Sequence, residues 1–543
     1  MPARLFLALS LLALGLSAHA QSRVDDLLAA MSLRDKVGQM FMMTFFGQPL
    51  NQPARDLIRE WKPGAFALFK SNLGDPATIA RLTNDLQATL LSVGAPPAFI
   101  GIDQEGGIIG HLQEQPGFTR LPVPTLVTAT GDPQMAYDYG QATAREMRAV
   151  GINMNFAPVA DLLTNRRNPI IGRRSWGSFA EQVGPMIAAY AQGLQAEGVL
   201  ATAKHFPGHG DTDDDSHATM PVVTHDLERL QRVEFAPFQQ AIAKGVGAVM
   251  VSHVHYTALD EQARPASLSP RVVTGLLRET MGFDGIAMPD AMDMDAVDTI
   301  YSPAEAARLA VLAGHDLIVL GAHVSPDNHR AAMQRVLAMV ERGEIDEARL
   351  DQSVRRILEA KARLGVLDWQ PLEPAQAAAN VPLGETAALL DRLFLRGLAL
   401  VHDERGVLAA IQGGAPTAYV YPASRPNLWR ACQGLSHLRP LGVSISPSEQ
   451  EIAWATSSAR QADWVVAFTQ NAETDRAQQR FIAALPADKT LLIALWSPYD
   501  LLALPKTAAA VLGYSPLPAA ERAVCAILGG EKPQGQVVVD LGS

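Results

Sequence analysis

Residues 199–217 read VLATAKHFPGHGDTDDDSH, and this stretch decides the fold. An apolar run (199–203) stops at Lys204 and His205, and a loop built around Pro207, Gly208 and Gly210 follows. Strands buried on both faces read as short unbroken apolar runs, whereas Gly and Pro punctuate turns and expose backbone. The loop gathers three histidines and four aspartates. Loops at strand ends carry chemistry more often than packing. Asp215 stands two positions before His217, where a carboxylate can orient an imidazole and tune its charge as a proton carrier. A solvated acidic loop and an adventitious metal site are the plainer readings of the same residues.

Outward from this stretch the same pattern repeats. Apolar runs at 37–45, 64–69, 98–102, 152–158, 199–203, 247–252, 285–288 and 316–320 read as strands. Segments 133–150, 180–197, 226–244 and 303–313 have helical spacing between them. Eight strand-then-helix units predict an α/β fold, a TIM-like (β/α)8 barrel. An open doubly wound sheet is the alternative, but no Gly-rich dinucleotide fingerprint follows any run.

A barrel concentrates catalytic groups at the C-terminal ends of its strands. Asp103 follows the third run, Asp161 the fourth, Lys204 and His205 the fifth, His253 the sixth and Asp290 the seventh. One polar residue at a strand end is normally a cap or turn residue. Five consecutive strands that each deliver one predict a site. No Ser sits in a nucleophile elbow, no Cys has a local partner, and no phosphate loop is present. His209, Asp211, Asp215, His217 and His253 are metal-ligand types, but their spacing matches no ligand pattern, so neither metal nor other cofactor is expected. A carboxylate facing a His–Asp pair suits acetal cleavage, in which one group attacks carbon and another protonates the leaving oxygen.

Composition sets the bounds. A chain of 543 residues exceeds one ordinary core, and 48% hydrophobic with 19% charged residues is globular. The net charge of −11 argues against a nucleic-acid partner or an anionic membrane surface. Arg4, the apolar run 5–16 and Ala18-His19-Ala20 before Gln21 form a signal peptide over 1–20, too short for an anchor, so export to a periplasm or the medium is expected. No integral membrane segment is read elsewhere, and the oligomeric state is not legible. The catalytic barrel is expected over 21–365. Pro371, Pro374 and Pro382 with Ala377–Ala379 mark a linker over 366–390, and an α/β sandwich domain is expected over 391–543. Its strands are read at 399–401, 418–421, 464–468, 490–495 and 509–512. Cys432 and Cys525 either pair or remain two buried thiols.

The segments GIDQEGG (101–107), GINMNFAPVAD (151–161), NPIIGRRSWG (168–177) and GFDGIAMPDAM (282–292) resemble glycoside hydrolase family 3. The 204–217 loop is similar to its β-N-acetylglucosaminidase branch, and 497–501 and 529–536 resemble the second domain of longer members. That resemblance implies Asp290 as the nucleophile of a covalent glycosyl-enzyme intermediate, His217 as acid/base and Asp215 as its orienting partner. It implies Asp103, Arg174, Lys204 and His205 as sugar-holding residues, with Asp161 and His253 as further candidates. His209 is expected to shape the loop.

One departure stands out. Two positions that usually hold arginine in the family are Ile108 and His111 here. Neither offers a guanidinium fork; His111 is kept as a sugar contact, and the neighbouring Arg173 is a candidate substitute. The expected activity is a retaining, exo-acting β-N-acetylhexosaminidase on a glycan containing N-acetylglucosamine, from peptidoglycan fragments or chito-oligosaccharides. Phosphorolysis and a catalytically weak cell-wall-binding protein are the alternatives.

Overall fold

The structure is a computed structural model that describes residues 21–216 and 219–542. The expected signal peptide and His217 lie outside the described residues.

Eight parallel strands follow one another in chain order: β1 (Phe41–Met43), β2 (Ala65–Ala67), β3 (Phe99–Ile102), β4 (Met154–Asn155), β5 (Leu200–Phe206), β6 (Ala248–Val251), β7 (Ile286–Pro289) and β8 (Ile318–Val319). β8 pairs with β1. Across the remaining seam, the Asp316 N–H donates to Ala287 O at 2.8 Å and the Met292 N–H to Val319 O at 3.1 Å. The sheet thus curls into the nearly closed barrel that the repeated pattern predicts. Inward-facing Met42, Phe99, Phe156, Met250 and Met288 fill it, and Ile357 of the helix Glu347–Arg363 joins the same cluster. A barrel of this size has a packed core, not a pore.

Caps set the helix limits. Ser302 accepts from the Glu305 N–H, Pro303 follows, and Gly314 ends the helix Pro303–Ala313 with φ +117°, so this segment is found where its spacing predicts. Elsewhere local chemistry overrides period. The run 37–45 is not one strand: Ser32 and Asp35 form a capping box that starts the helix Leu33–Gln39, and only Phe41–Met43 is extended. Segment 226–244 is two helices, Leu227–Arg232 and Ala236–Ala243, with Pro237 in the first turn of the second.

The C-terminal domain is a six-stranded mixed sheet of β9 (Ala399–Asp403), β10 (Thr417–Pro422), β11 (Leu438–Val443), β12 (Trp464–Thr469), β13 (Thr490–Ala494) and β14 (Ala509–Leu512), in the order β9-β14-β13-β12-β10-β11. Only β9 runs antiparallel. Val465 and Ala467 pack with Ala455 and Phe481 on one face, while Val466 joins Leu393 and Val524 on the other, so helices cover both faces. β11 is absent from the sequence reading because Pro440 interrupts it; an edge strand tolerates Pro because one side of its ladder is unpaired. The helix Leu383–Gly397 begins inside the stretch read as linker. Cys432 and Cys525 form a disulfide with Cα atoms 5.2 Å apart, which settles the open pairing.

Candidate active site

A cavity of about 460 Å³ opens at the C-terminal ends of the strands and is lined by Asp103, His111, Arg174, Lys204, His205 and Asp290, among others. Asp103 and Asp290, distant in the chain, meet there because parallel strands present all their C-terminal ends on one face.

The cavity floor is an ion network whose hub the sequence reading did not single out. Glu105, wholly buried, accepts from Arg174 Nε at Oε2 and from Nη2 at Oε1, both at 2.9 Å. Lys204 Nζ lies 2.7 Å from Glu105 Oε1 and 2.5 Å from Asp103 Oδ1. Burial alone would raise the Glu105 carboxyl, but Arg174 and Lys204 overcome it and hold the group at about 2. Burial likewise opposes the Lys204 charge, and Asp103 and Glu105 keep the ammonium above its usual range. The available signal was Glu105 itself, two residues past Asp103 and followed by Gly106 and Gly107.

Asp161 does not line this cavity. It is wholly buried behind His205, accepting from His205 Nδ1 at 2.7 Å and from the backbone N–H groups of His205 and His209 at 3.1 and 2.6 Å. Burial, and then the Arg174 charge, push the His205 imidazole well below its ordinary range. The neutral ring therefore donates Nδ1–H to Asp161 and turns Nε2 toward Arg174 Nη2, 3.4 Å away. Burial pushes the Asp161 carboxyl up to about 6, against the pull of His209 and the two N–H donors.

His209 ties the loop together, as its composition suggested: Nδ1 pairs with Thr212 Oγ1 and Nε2 with Ser216 Oγ, each at 2.9 Å. Gly210 lets the loop pass the strand-four side, since a Cβ there would lie 1.7 Å from Leu162 O. Ser216, which directly precedes His217, lines the cavity. Asp215 is half-buried and is not a lining residue.

Asp290 directly follows β7, and its Oδ1 accepts from the Ala291 N–H at 2.8 Å. Burial would raise this carboxyl; His205, His253 and the Ala291 N–H outweigh burial and hold it below the usual carboxylate range. His253 is itself wholly buried, with Nδ1 2.7 Å from Ser267 Oγ and Nε2 donating to Ala291 O at 2.9 Å. It supports the Asp290 turn from beneath and does not reach the cavity. Asp293, also unmarked in the sequence reading, is a further lining carboxyl; burial and the Asp290 charge raise it.

The two departures part company. His111 lines the cavity, whereas Ile108 lines a separate cleft of about 340 Å³ between the barrel and the second domain. Arg173 lines that cleft too, donating from Nη2 to Asn471 Oδ1 at 2.9 Å and lying 4.6 Å from the Trp496 ring centroid. It is thus committed to the domain interface and does not replace an arginine in the cavity. Among the described residues no helix is long and apolar enough to cross a membrane.

A family model described as the N-terminal domain of glycosyl hydrolase family 3 matches residues 32–360. Beta-hexosaminidase A of Pseudoalteromonas piscicida is 32% identical over 437 residues, covering 76% of this chain and 72% of the relative. A beta-N-acetylglucosaminidase/beta-glucosidase of Cellulomonas fimi is 31% identical over 409 residues, covering 73% and 69%. The solved structure of a glycoside hydrolase family 3 beta-N-acetylglucosaminidase from Paenibacillus sp. strain FPU-7 superposes with a TM-score of 0.78 at 35% identity, over 94% of this chain and 99% of that one.

Proposed function

Because the chain belongs to glycosyl hydrolase family 3 and is a glycosidase of the β-hexosaminidase kind, we propose that it releases N-acetylglucosamine from the non-reducing ends of peptidoglycan fragments or chito-oligosaccharides, with retention. The observation that carries the reading is the ionised Asp290 carboxylate on the same cavity as the Asp103–Lys204–Glu105–Arg174 network. Asp103, Lys204, Arg174 and His205 present the donors and acceptors that fix sugar hydroxyls. Asp290 attacks the anomeric carbon and forms the glycosyl ester while the leaving oxygen takes a proton. Water then attacks the same carbon, the carboxylate leaves, and two inversions give retention.

His217, oriented by Asp215, is the proton carrier in this reading: it gives a proton to the leaving oxygen and later takes one from water. Its support is the family pattern of the loop and the position of Ser216 on the cavity, fixed through His209. The N-acetyl preference is supported by the names of the relatives. Export through residues 1–20 is supported by the Cys432–Cys525 disulfide, a bond that persists in oxidising compartments.

The test is hydrolysis of an aryl β-N-acetylglucosaminide by the chain lacking residues 1–20, beside an aryl β-glucoside, with Asp290→Ala and His217→Ala as variants. Turnover of the N-acetyl substrate by wild type alone, with β-configured first product, is expected. Activity of Asp290→Ala near that of wild type would sink the assignment. A sugar 1-phosphate appearing only with added phosphate would identify a phosphorylase instead.

A further inference from the structure

Among the described residues the most exposed large apolar side chain is Phe46, at 82%. Its loop follows β1, on the barrel face that carries the cavity. Exposed single apolar residues are ordinary, but the backbone around this one is fastened on every side. Asn72, wholly buried, donates from Nδ2 to both Phe45 O at 3.0 Å and Gly47 O at 2.9 Å. Thr44 Oγ1 donates to Gly321 O at 2.6 Å, and Asn51 Nδ2 to Phe46 O at 3.3 Å. The anchoring turns are parts of the cavity wall: Phe69 is three residues before Asn72, Ala322 and His323 follow Gly321, and all three line the cavity. The loop that carries this exposed ring is therefore fastened to two turns of the cavity wall, and these hydrogen bonds meet the ordering cost of its backbone.

Which sector of the rim it occupies matters. The network that would hold the sugar lies at the ends of β3 and β5 with Arg174 from the loop beyond β4, while Asp290 stands at the end of β7. A sugar bridging them points its anomeric carbon toward β7, and its leaving group emerges over the sector of β7, β8 and β1, which are neighbours in the barrel. Phe46 belongs to the loop after β1, and Ile300, 57% exposed, to the segment after β7. The opposite sector is walled by the second domain through Arg173 and Asn471.

We infer that Phe46 is a stacking platform for the sugar rings on the leaving-group side, a subsite that makes the enzyme prefer oligosaccharides to small glycosides. The inference rests on the hydrolase reading above. Aromatic faces receive the apolar C–H face of a pyranose, and a ring on a backbone fixed beforehand leaves only its own two side-chain torsions to order on binding.

The experiment compares kcat/KM for β-1,4-linked N-acetylglucosamine tetrasaccharide with that for methyl β-N-acetylglucosaminide, whose methyl group is too small to reach the rim. Wild type, Phe46→Ala and Phe46→Trp are measured, each with its sedimentation profile. Phe46→Ala should lose about tenfold on the tetrasaccharide, which corresponds to about 1.4 kcal/mol, keep its rate on the methyl glycoside, and be rescued by Phe46→Trp. An unchanged ratio in Phe46→Ala beside an active wild type overturns the inference alone. So does a fall on both substrates together, or a change of assembly state, which would make Phe46 a contact between copies. Wild type inactive on both substrates overturns the hydrolase reading, and the subsite with it.

Discussion

The carboxylate of Asp161 and the imidazole of His205 form a buried pair, Nδ1 to Oδ2 2.7 Å, in which the same carboxylate also receives the backbone N–H of His205. One acceptor thus sets both the position of the cavity residue and its tautomer, because a ring that gives Nδ1–H to Asp161 must offer Nε2 as an acceptor.

Asp161→Asn is therefore expected to lower kcat/KM by roughly 10–100-fold, the size found for carboxylates that orient metal-bound histidines, taken here by analogy. Nitrogen-15 shifts of His205 should report loss of the single tautomer. An unchanged tautomer with unchanged activity would count against the positioning role.

Glu105 ties acid stability to the site. Its carboxyl titrates at about 2 against an ordinary 4.5, so its stabilising contribution is complete above pH 4.5 and is lost as pH falls through 2. A shift of that size corresponds to roughly 3 kcal/mol between the two limits. Glu105→Gln should be less stable than wild type at pH 7, leaving Arg174 and Lys204 with less compensation, and its stability should fall less steeply below pH 4.5. Denaturation curves at several pH values decide this; parallel pH dependences would refute it.

Lys361 is wholly buried beneath the barrel, donating to Gln39 Oε1 at 2.8 Å and 6.0 Å from the Phe99 ring centroid. Burial pushes its amine down to about 7 from 10.5. Unfolded chain then binds the extra proton between these values, so stability is highest above pH 10.5 and is lost as pH falls toward 7. Lys361→Met should be more stable than wild type at pH 6, by on the order of 2–5 kcal/mol, and should show less dependence on pH from 7 to 10. Melting temperatures across that range test it, and a less stable variant at pH 6 would contradict it.

The disulfide joins helices Pro426–Cys432 and Pro518–Leu528 across 93 residues. Replacing both Cys432 and Cys525 by Ser should cost roughly 2–5 kcal/mol, with kcat/KM unaltered because neither residue lines the cavity. Equal stability with and without reductant in the wild type would show that the bond does not form.

Legibility followed locality. The eight barrel strands were readable because burial on both faces needs only consecutive apolar residues, and the helix Pro303–Ala313 was readable to its ends because Ser302 and Gly314 cap it within the chain. β11 was hidden because Pro440 breaks the apolar pattern, and only its edge position makes that harmless. At the site, Asp103, Arg174, Lys204, His205 and Asp290 were named from strand-end position and motif, and the structure brings them to one cavity with His111. Strand-end position alone could not separate them from Asp161 and His253, which lie buried beneath it.

The sequence by itself determined the repeating strand-and-helix order, the face on which polar residues gather and the chemical types available there, since each of these is written in neighbouring residues. Tertiary structure decided which of those residues meet. Lys204 finds Asp103 across 101 positions, and Arg174 finds Glu105 across 69. It also sent Ile108 and Arg173 to the domain cleft, away from the neighbouring Glu105 and Arg174. Period and composition specify a strand end, but the direction of each side chain there depends on the twist and closure of the whole barrel and on partners that only the folded chain supplies.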